Sequence, residues 1–421
     1  MTSDKEIIFI LPHFNLNTTS NSRFKSFIGA FIEKKWEVKI VTFRFPIKRN
    51  VGLGHEFSLE PLEPIFAAKL NAISPNLNFI KKCAFWTLNK FDSKYWKVFN
   101  WFHQVIYGTD IFSPGKVDLG KLGLNKRKQY FVMACGGPFG IYSYANELAK
   151  QLDASLILDY RDPWTYGYPP LDASSLVYRI SILFNRNREF RFLENAKLVI
   201  TVSDTLKKLF PSKFHHKIKV LENGSNFKVD DVVNLAPKTF NIVYLGTIYK
   251  DQLFDMTIFR VLSEFIKHKN SSEIKLQFIG SLGNKRLTRI LKKYQLTNSS
   301  EITGRLGFAE VKEYLNNASV FLQLKYGQRS DIITSKQADY LLFRKPIFLP
   351  ISDYGDLYNS IKENNAGFIG SSVEDNLAFL ELCWEKFKIG ELPSNGTNSK
   401  QFKNETRKEI AHKLVELIDS L

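Results

Sequence analysis

Cysteine is scarce in this chain: Cys83, Cys135 and Cys383 are odd in number and far apart. That spacing gives neither a disulfide framework nor a zinc set, so a reducing interior is expected. Long apolar runs are missing too. None approaches the roughly 18 residues that a membrane-spanning helix needs. The opening MTSDKE has no basic n-region and no apolar core, so no signal peptide is expected there. No DxD-like acid cluster stands out, and no metal is expected. Helix-turn-helix, zinc-finger and RNP-like motifs are also missing, so no nucleic-acid partner is expected despite the basic charge.

What the chain does have is size, apolar content and positive charge. Its 421 residues suit two domains, and 44% hydrophobic residues can fill two cores. Phenylalanine is abundant at 36, and the formal net charge is +17. Such a balance by itself implies acidic partners, whether phosphates, nucleic acid or an anionic membrane surface, and does not choose among them.

IIFILP (7–12) reads as a buried strand. FKSFIGAFIEKKW then puts Phe24, Phe27, Ile28, Phe31 and Ile32 on one helical face, before the strand VKIVTF (38–43). Strand, loop, helix and strand in this span make a βαβ unit and imply a parallel sheet. Residues 57–128 are less regular, with weak helical periodicity at 65–72 and 79–107. Strands return at 130–135, 156–160, 198–203 and 218–224, with a long helix at about 174–195. NFKVDDVVNLAPKTF (226–240) reads as a linker. A second alternation gives strands at 240–246, 275–281, 301–304, 320–325, 347–350 and 367–370. A linker at about 389–399 precedes an amphipathic helix at 402–421.

The fold class expected is α/β, with two Rossmann-like doubly wound domains. The first spans 1–228, with the helix at 402–421 packing back on it, and the second spans 238–398. Ligands in such sheets bind at the C-terminal ends of the strands, so a cleft between the domains is the expected site.

Three segments carry polar groups at those ends. YLGTIYK (244–250) ends a strand at Gly246 and offers loop N–H groups, Thr247 and Lys250, which suit a phosphate. ITGRLG adds a second such loop with Gly304 and Arg305. DYRDPW sets Asp159, Arg161, Asp162 and Trp164 at a strand end, which fits either a sugar site or an internal Arg–Asp pair beside a packed indole. LENG (221–224) reads as a turn. In SDIITSKQADYLLFRKP, Asp331 and Asp339 stand eight positions apart, slightly over two helical turns. They share a helix side only if the helix begins early. If it begins late, Asp331 lies on the loop. The basic and aromatic stretch 79–107 suits either a helical hairpin with an aromatic core or an anionic membrane surface.

The ordered set resembles the GT-B retaining glycosyltransferases of the family-four-like group, over almost the whole chain. Carrying the resemblance are Pro12 with Ser22-Arg23, RDPW, VITVS, the Asn223-Gly224 turn, YLGTIYK, and Ser335, Lys336, Asp339, Tyr340, Leu341, Lys345 and Pro346 in place of SKxxEYLxxxKP. It implies sugar transfer from a nucleotide-diphosphate sugar to a polysaccharide or lipid-linked glycan, with retention by front-face attack and no protein nucleophile. It implies no cofactor beyond the donor. A cytoplasmic enzyme is implied, peripheral at the inner face of the plasma membrane.

By the same resemblance Asp331 lies near the donor sugar and Asp339 holds the ribose hydroxyls. Gly246, Thr247, Lys250, Gly304, Arg305, Ser335 and Lys336 surround the nucleotide. Arg23, Asp159, Arg161, Asp162 and Trp164 fall on the acceptor side. Two departures matter. Thr247 replaces the group's arginine, leaving the diphosphate to Lys250 with Arg329 or Lys336. Tyr142, in GPFGIY, replaces the sugar-contacting histidine of related RDPW members. A GT-B-shaped binding protein or an epimerase-like enzyme is the competing reading.

Overall fold

The computed structural model describes residues 5–11, 19–43, 69–73, 77–90, 96–107, 113–124, 128–136, 139–167, 176–233, 237–269, 272–391 and 406–421. The chain divides into two compact units, Met1–Glu222 with Lys408–Leu421, and Asn223–Arg407.

The first unit is built on β1 (Lys5–Leu11), β2 (Glu37–Phe43), β3 (Lys69–Ile73), β4 (Gln129–Cys135), β5 (Ser155–Tyr160), β6 (Leu198–Thr201) and β7 (Ile218–Val220). Their order is β3-β2-β1-β4-β5-β6-β7, every pairing parallel. Strand β1 lies between β2 and β4, where Phe9 faces Ile40 on one side and Met133 on the other. A strand covered on both faces needs a continuous apolar run, and IIFILP supplies it. Phe27, Phe31, Trp36 and Phe131 pack beside it, joined by Ile410, Ala411, Leu414, Val415 and Ile418 of the helix Arg407–Asp419. Each such side chain contributes about 1.5–3 kcal/mol by burial, enough to hold this last helix against the first unit.

The second unit holds β8 (Phe240–Leu245), β9 (Ile274–Ile279), β10 (Ser300–Ile302), β11 (Val320–Leu322), β12 (Ile347–Leu349) and β13 (Gly367–Ile369). Their order, β10-β9-β8-β11-β12-β13, is again parallel. In each sheet the strand order reverses beside the first strand of the unit, at β1/β4 and β8/β11. Ligand crevices form at such points.

Two sequence expectations change. Of the helical periodicity at 65–72, residues 65–68 lie outside the described residues and 69–72 belong to β3, which pairs in register with β2 through Lys39–Lys69 and Phe43–Ile73. Tertiary pairing outweighs weak local periodicity in so short a segment. The expected linker at 226–240 is partly docked on the second unit: Val233 N–H donates to Asn316 Oδ1 at 2.7 Å, and Lys312 pairs with Asp231 at 3.3 Å. Most of the expected linker at 389–399 lies outside the described residues, as does Pro12. The stretch 79–107 contains the helices Phe79–Lys90 and Trp96–Tyr107. Ala84, Phe85 and Leu88 are buried there, and Lys81 donates to the Ser113 carbonyl at 2.5 Å. Phe79, Trp86, Val98, Phe102 and Ile106 of the same two helices are exposed.

Candidate functional site

The second unit concentrates unfinished polar valences where its sheet order reverses. Chain leaving β8 turns at Gly246, whose φ of +101° lies in the left-handed region that favours glycine. Gly280, after β9, turns similarly at φ +89°, and a side chain on it would meet the Gly246 backbone at 3.4 Å. The Gly246 loop is held from behind. Ser281 Oγ donates to the Gly246 carbonyl at 2.8 Å, and Asn284 Nδ2 to the Ile248 carbonyl at 2.9 Å. The N–H groups of Thr247 and Ile248 donate to no described residue. Thr247 and Lys250 are exposed, and Lys250 opens the short turn Lys250–Leu253.

Lys336 approaches this loop from the helix Ser335–Phe343. A Cβ on Gly246 would stand 3.9 Å from its Nζ. Lys336 is only 7% exposed. It donates to the Tyr244 hydroxyl at 2.5 Å and lies over that ring, 3.8 Å from the centroid. No acid partners it among the described residues, and burial alone pulls the ammonium down to about 7. A cation in the first turn also opposes the helix dipole. The helix start has no side-chain cap, and Thr334 Oγ1 is buried there without a partner. Local rules broken together in this way are expected at functional or strained sites.

The two acids are separated. Because the helix starts at Ser335, Asp331 sits on the loop before it. Its oxygens accept from Arg329 Nε at 3.2 Å and Nη2 at 3.1 Å. Asp339 is buried inside the helix. Its Oδ1 accepts from Ser225 Oγ at 2.7 Å and Asn226 N–H at 3.2 Å, while Oδ2 accepts from no described residue. Burial pushes its carboxyl up to about 6, although Ser225, Arg407 and Asn226 favour the ion. The Asn223-Gly224 pair carries no regular turn; Gly224 has φ +68° and fits against Arg407 N, 2.8 Å from where a Cβ would stand. Ser335 and Gly304 are half-buried and Arg305 is exposed.

In the first unit most of the expected site residues are spent on one another. Tyr142 departs from the ligand-facing role expected of it. It is fully buried and donates its hydroxyl to the Asp159 carbonyl at 2.9 Å. The reason is its place in an aromatic cluster with Phe139, Tyr160 and Phe192, which encloses the ring. Trp164 likewise is no open platform, since Phe139 stacks on it at 5.0 Å and 8°, and Phe192 at 6.4 Å and 13°. Arg161 donates twice to Asp162 Oδ2, at 3.3 and 3.0 Å. Arg23 donates to the carbonyls of Glu222 and Leu221 at 2.6 and 3.0 Å, binding the end of the unit's chain to its first helix. Its Nε lies 3.6 Å from Asp159 Oδ2, too long for a hydrogen bond. Asp159 is fully buried, and desolvation raises its pKa.

Sequence reasoning missed three residues. Glu189 is fully buried, accepts from Thr165 N–H at 2.8 Å and from its hydroxyl, and is pushed up to about 7 by burial. Its spacing to Phe192, Leu193 and Ala196 was the available sign, since all four share one helical face. Gln252 and Tyr244, which support Lys336, carried no sequence signal. Among the described residues no group of three metal-ligating side chains gathers.

No protein-family model matches the chain, and no curated protein matches it by sequence. Solved structures match throughout. HepE from Anabaena, in complex with UDP-glucose, aligns with a TM-score of 0.61 at 10% identity, over 99% of this chain and 100% of that one. The fold is GT-B. A glycosyltransferase from Rickettsia africae shares this GT-B fold at TM-score 0.60 and 13% identity, over 99% of each chain. So does the UDP-GlcNAc 2-epimerase of Methanocaldococcus jannaschii, at TM-score 0.50 and 12% identity, over 99% of this chain and 100% of that one.

Proposed function

We propose that the protein is a glycosyltransferase that moves a sugar from a nucleotide-diphosphate sugar to a glycan or lipid-linked acceptor, with retention. One observation carries this reading: a buried lysine without an acidic partner among the described residues, Lys336, beside the Gly246 turn. Developing charge on a leaving diphosphate is best stabilised by groups already oriented before reaction. Lys336, Lys250, the free N–H groups of Thr247 and Ile248, and the start of the Ser335–Phe343 helix supply such a set. Ser335, Gly304 and Arg305 flank it. Asp339 Oδ2 is free to accept from a ribose diol, and Asp331, held by Arg329, orients the donor sugar. Retention rests on the family resemblance and needs no protein nucleophile. HepE, a UDP-glucose complex, favours UDP as the first nucleotide to try.

On the acceptor side, Arg161 and Asp162 are the polar pair that reaches solvent; Arg23 and Asp159 act from within the core. The exposed Phe79, Trp86, Phe102 and Ile106, near the exposed Lys82 and Lys90, fit an anionic membrane surface at the inner face of the plasma membrane. No helix among the described residues is long and apolar enough to cross a membrane. Failure to co-sediment with anionic liposomes at low salt would remove that surface from the reading.

A thermal-shift screen over UDP, GDP, ADP and CMP tests the donor site, because a bound ligand stabilises by mass action. Nucleotide release from the matching nucleotide sugar then tests turnover. Activity surviving both Asp339→Ala and Lys250→Ala would overturn the assignment. The epimerase match favours a second reading, in which the same site rearranges the sugar without transferring it. Conversion to an epimeric nucleotide sugar in the absence of acceptor distinguishes the two.

A further inference from the structure

We propose that binding of a nucleoside diphosphate in the second unit takes up one proton on Lys336, which Gln252 positions through Tyr244. The proposal rests on the donor-site reading above.

The polarity of the hydrogen-bond chain is fixed from its far end. Gln252 Nε2 donates to the Leu324 carbonyl at 3.1 Å, which sets the amide orientation. Its Oε1 therefore accepts, taking the Tyr249 N–H at 3.1 Å and the Tyr244 hydroxyl at 3.2 Å. Tyr244 has one proton, which it gives to Gln252 Oε1 at 3.2 Å or to the Thr247 carbonyl at 3.4 Å, and in neither case to Lys336. Its oxygen lone pairs are left to accept from Lys336. A lysine ammonium has three donors. Tyr244 takes one, and the other two meet no acceptor among the described residues.

No carboxylate among the described residues balances that charge. Tyr244 faces Lys336 from β8, and the groups acting on Tyr244 are Tyr326 from beyond β11, Tyr340 from the lysine's own helix and Tyr249 from the loop beyond β8. All are phenols. Lys250 adds a second base in the turn that follows the Gly246 loop, and Asp331 is taken by Arg329. Burial therefore decides the state of the ligand-free lysine, and with the ammonium titrating at about 7 the amine predominates at pH 8.

A diphosphate anion on the Thr247 and Ile248 N–H groups reverses this balance, because an anion within about 4–6 Å favours the charged form. The amine takes a proton from solvent and becomes an ammonium paired with a phosphate oxygen. Tyr244 keeps its proton. Asp339, titrating at about 6, is already ionised at pH 8 and adds no proton of its own.

The experiment is calorimetric titration with UDP at pH 8.0 in three buffers of different ionisation enthalpy. UDP is fully ionised there, since the second phosphate pKa is about 6. The expected result is an enthalpy that varies with buffer, with a slope of about one proton taken up per UDP. Lys336→Arg, which stays charged, is expected to bind without uptake. Gln252→Leu is expected to move the pH at which affinity falls, which a purely structural role would not do. Wild-type binding with buffer-independent enthalpy overturns the proposal while leaving the donor site standing. Undiminished uptake in Lys336→Arg overturns it as well. No binding of UDP, GDP or ADP removes the donor-site reading and this inference together.

Discussion

The strand-end segments Asp159–Trp164 and Asp331–Asp339 look alike in sequence: each mixes acids and a base just beyond a parallel strand. Their surroundings differ. In the first, Arg161 closes on Asp162, and Trp164 is stacked with Phe139 and Phe192. In the second, among the described residues, Lys336 has no acid, Asp339 keeps one oxygen free, and Thr334 Oγ1 is buried without a partner. Buried polar groups are normally satisfied, so unsatisfied groups that cluster call for an explanation, and a bound ligand is the one proposed for the second segment. Tyr160, whose hydroxyl is buried without a hydrogen bond among the described residues, and Asp159 qualify the contrast. Both oxygens of Asp159 are buried without a hydrogen bond, yet Arg23 stands 3.6 Å away as a counter-ion.

The sharpest way to break this comparison is Lys336→Met. Removing one member of a desolvated charge pair costs roughly 2–5 kcal/mol, so UDP affinity is expected to fall about 100-fold or more by calorimetry. An affinity unchanged within a factor of about two would put the second segment in the same class as the first. Gly246→Ala comes next. Its φ of +101° is strained for any side chain, at about 1–3 kcal/mol, and nucleotide release is expected to drop about tenfold. Full activity in that variant would show that the loop is not held by its glycine.

Asp339→Asn is expected to weaken UDP by about tenfold, an estimate from one lost charge-assisted hydrogen bond, while leaving inorganic pyrophosphate affinity unchanged. Equal loss for both ligands would move Asp339 from the ribose to the fold, through Ser225 and Asn226. Glu189→Gln tests the first unit. The native carboxyl titrates at about 7, above its ordinary 4.5, so its contribution is fully present below pH 4.5 and is lost as pH rises through 7. The variant and the wild type should melt together near pH 4.5, and the variant should melt higher at pH 8. A gap of the opposite sign would mean that Glu189 is held as an ion. The smallest effect is expected of Trp164→Phe: about 1 kcal/mol or more of stability from poorer packing, with UDP affinity unchanged.

Much of the fold was legible because parallel strands buried on both faces must be apolar runs, and helices between them must show a 3.6-residue period. IIFILP, VKIVTF and FNIVYL announced β1, β2 and β8 this way. KLNAI (69–73) did not, because a five-residue strand carries too little pattern to stand apart from helical noise. The site was legible only as a list of residue types. The SK and DYL segment pointed to Lys336 and Asp339, but the sequence placed Tyr142 with them and passed over Glu189, Gln252 and Tyr244.

Periodicity, composition and chain order are local properties. The sequence by itself therefore determined two α/β units with their strand ends facing loops. Whether a given lysine, acid or aromatic is spent or free depends on partners from other strands and helices. Tyr142 is taken by the Asp159 carbonyl, 17 positions on, and Lys336 meets Tyr244 from 92 positions before it. Burial and counter-ions set by such distant neighbours fix the charge of each group, and only the tertiary structure decided them.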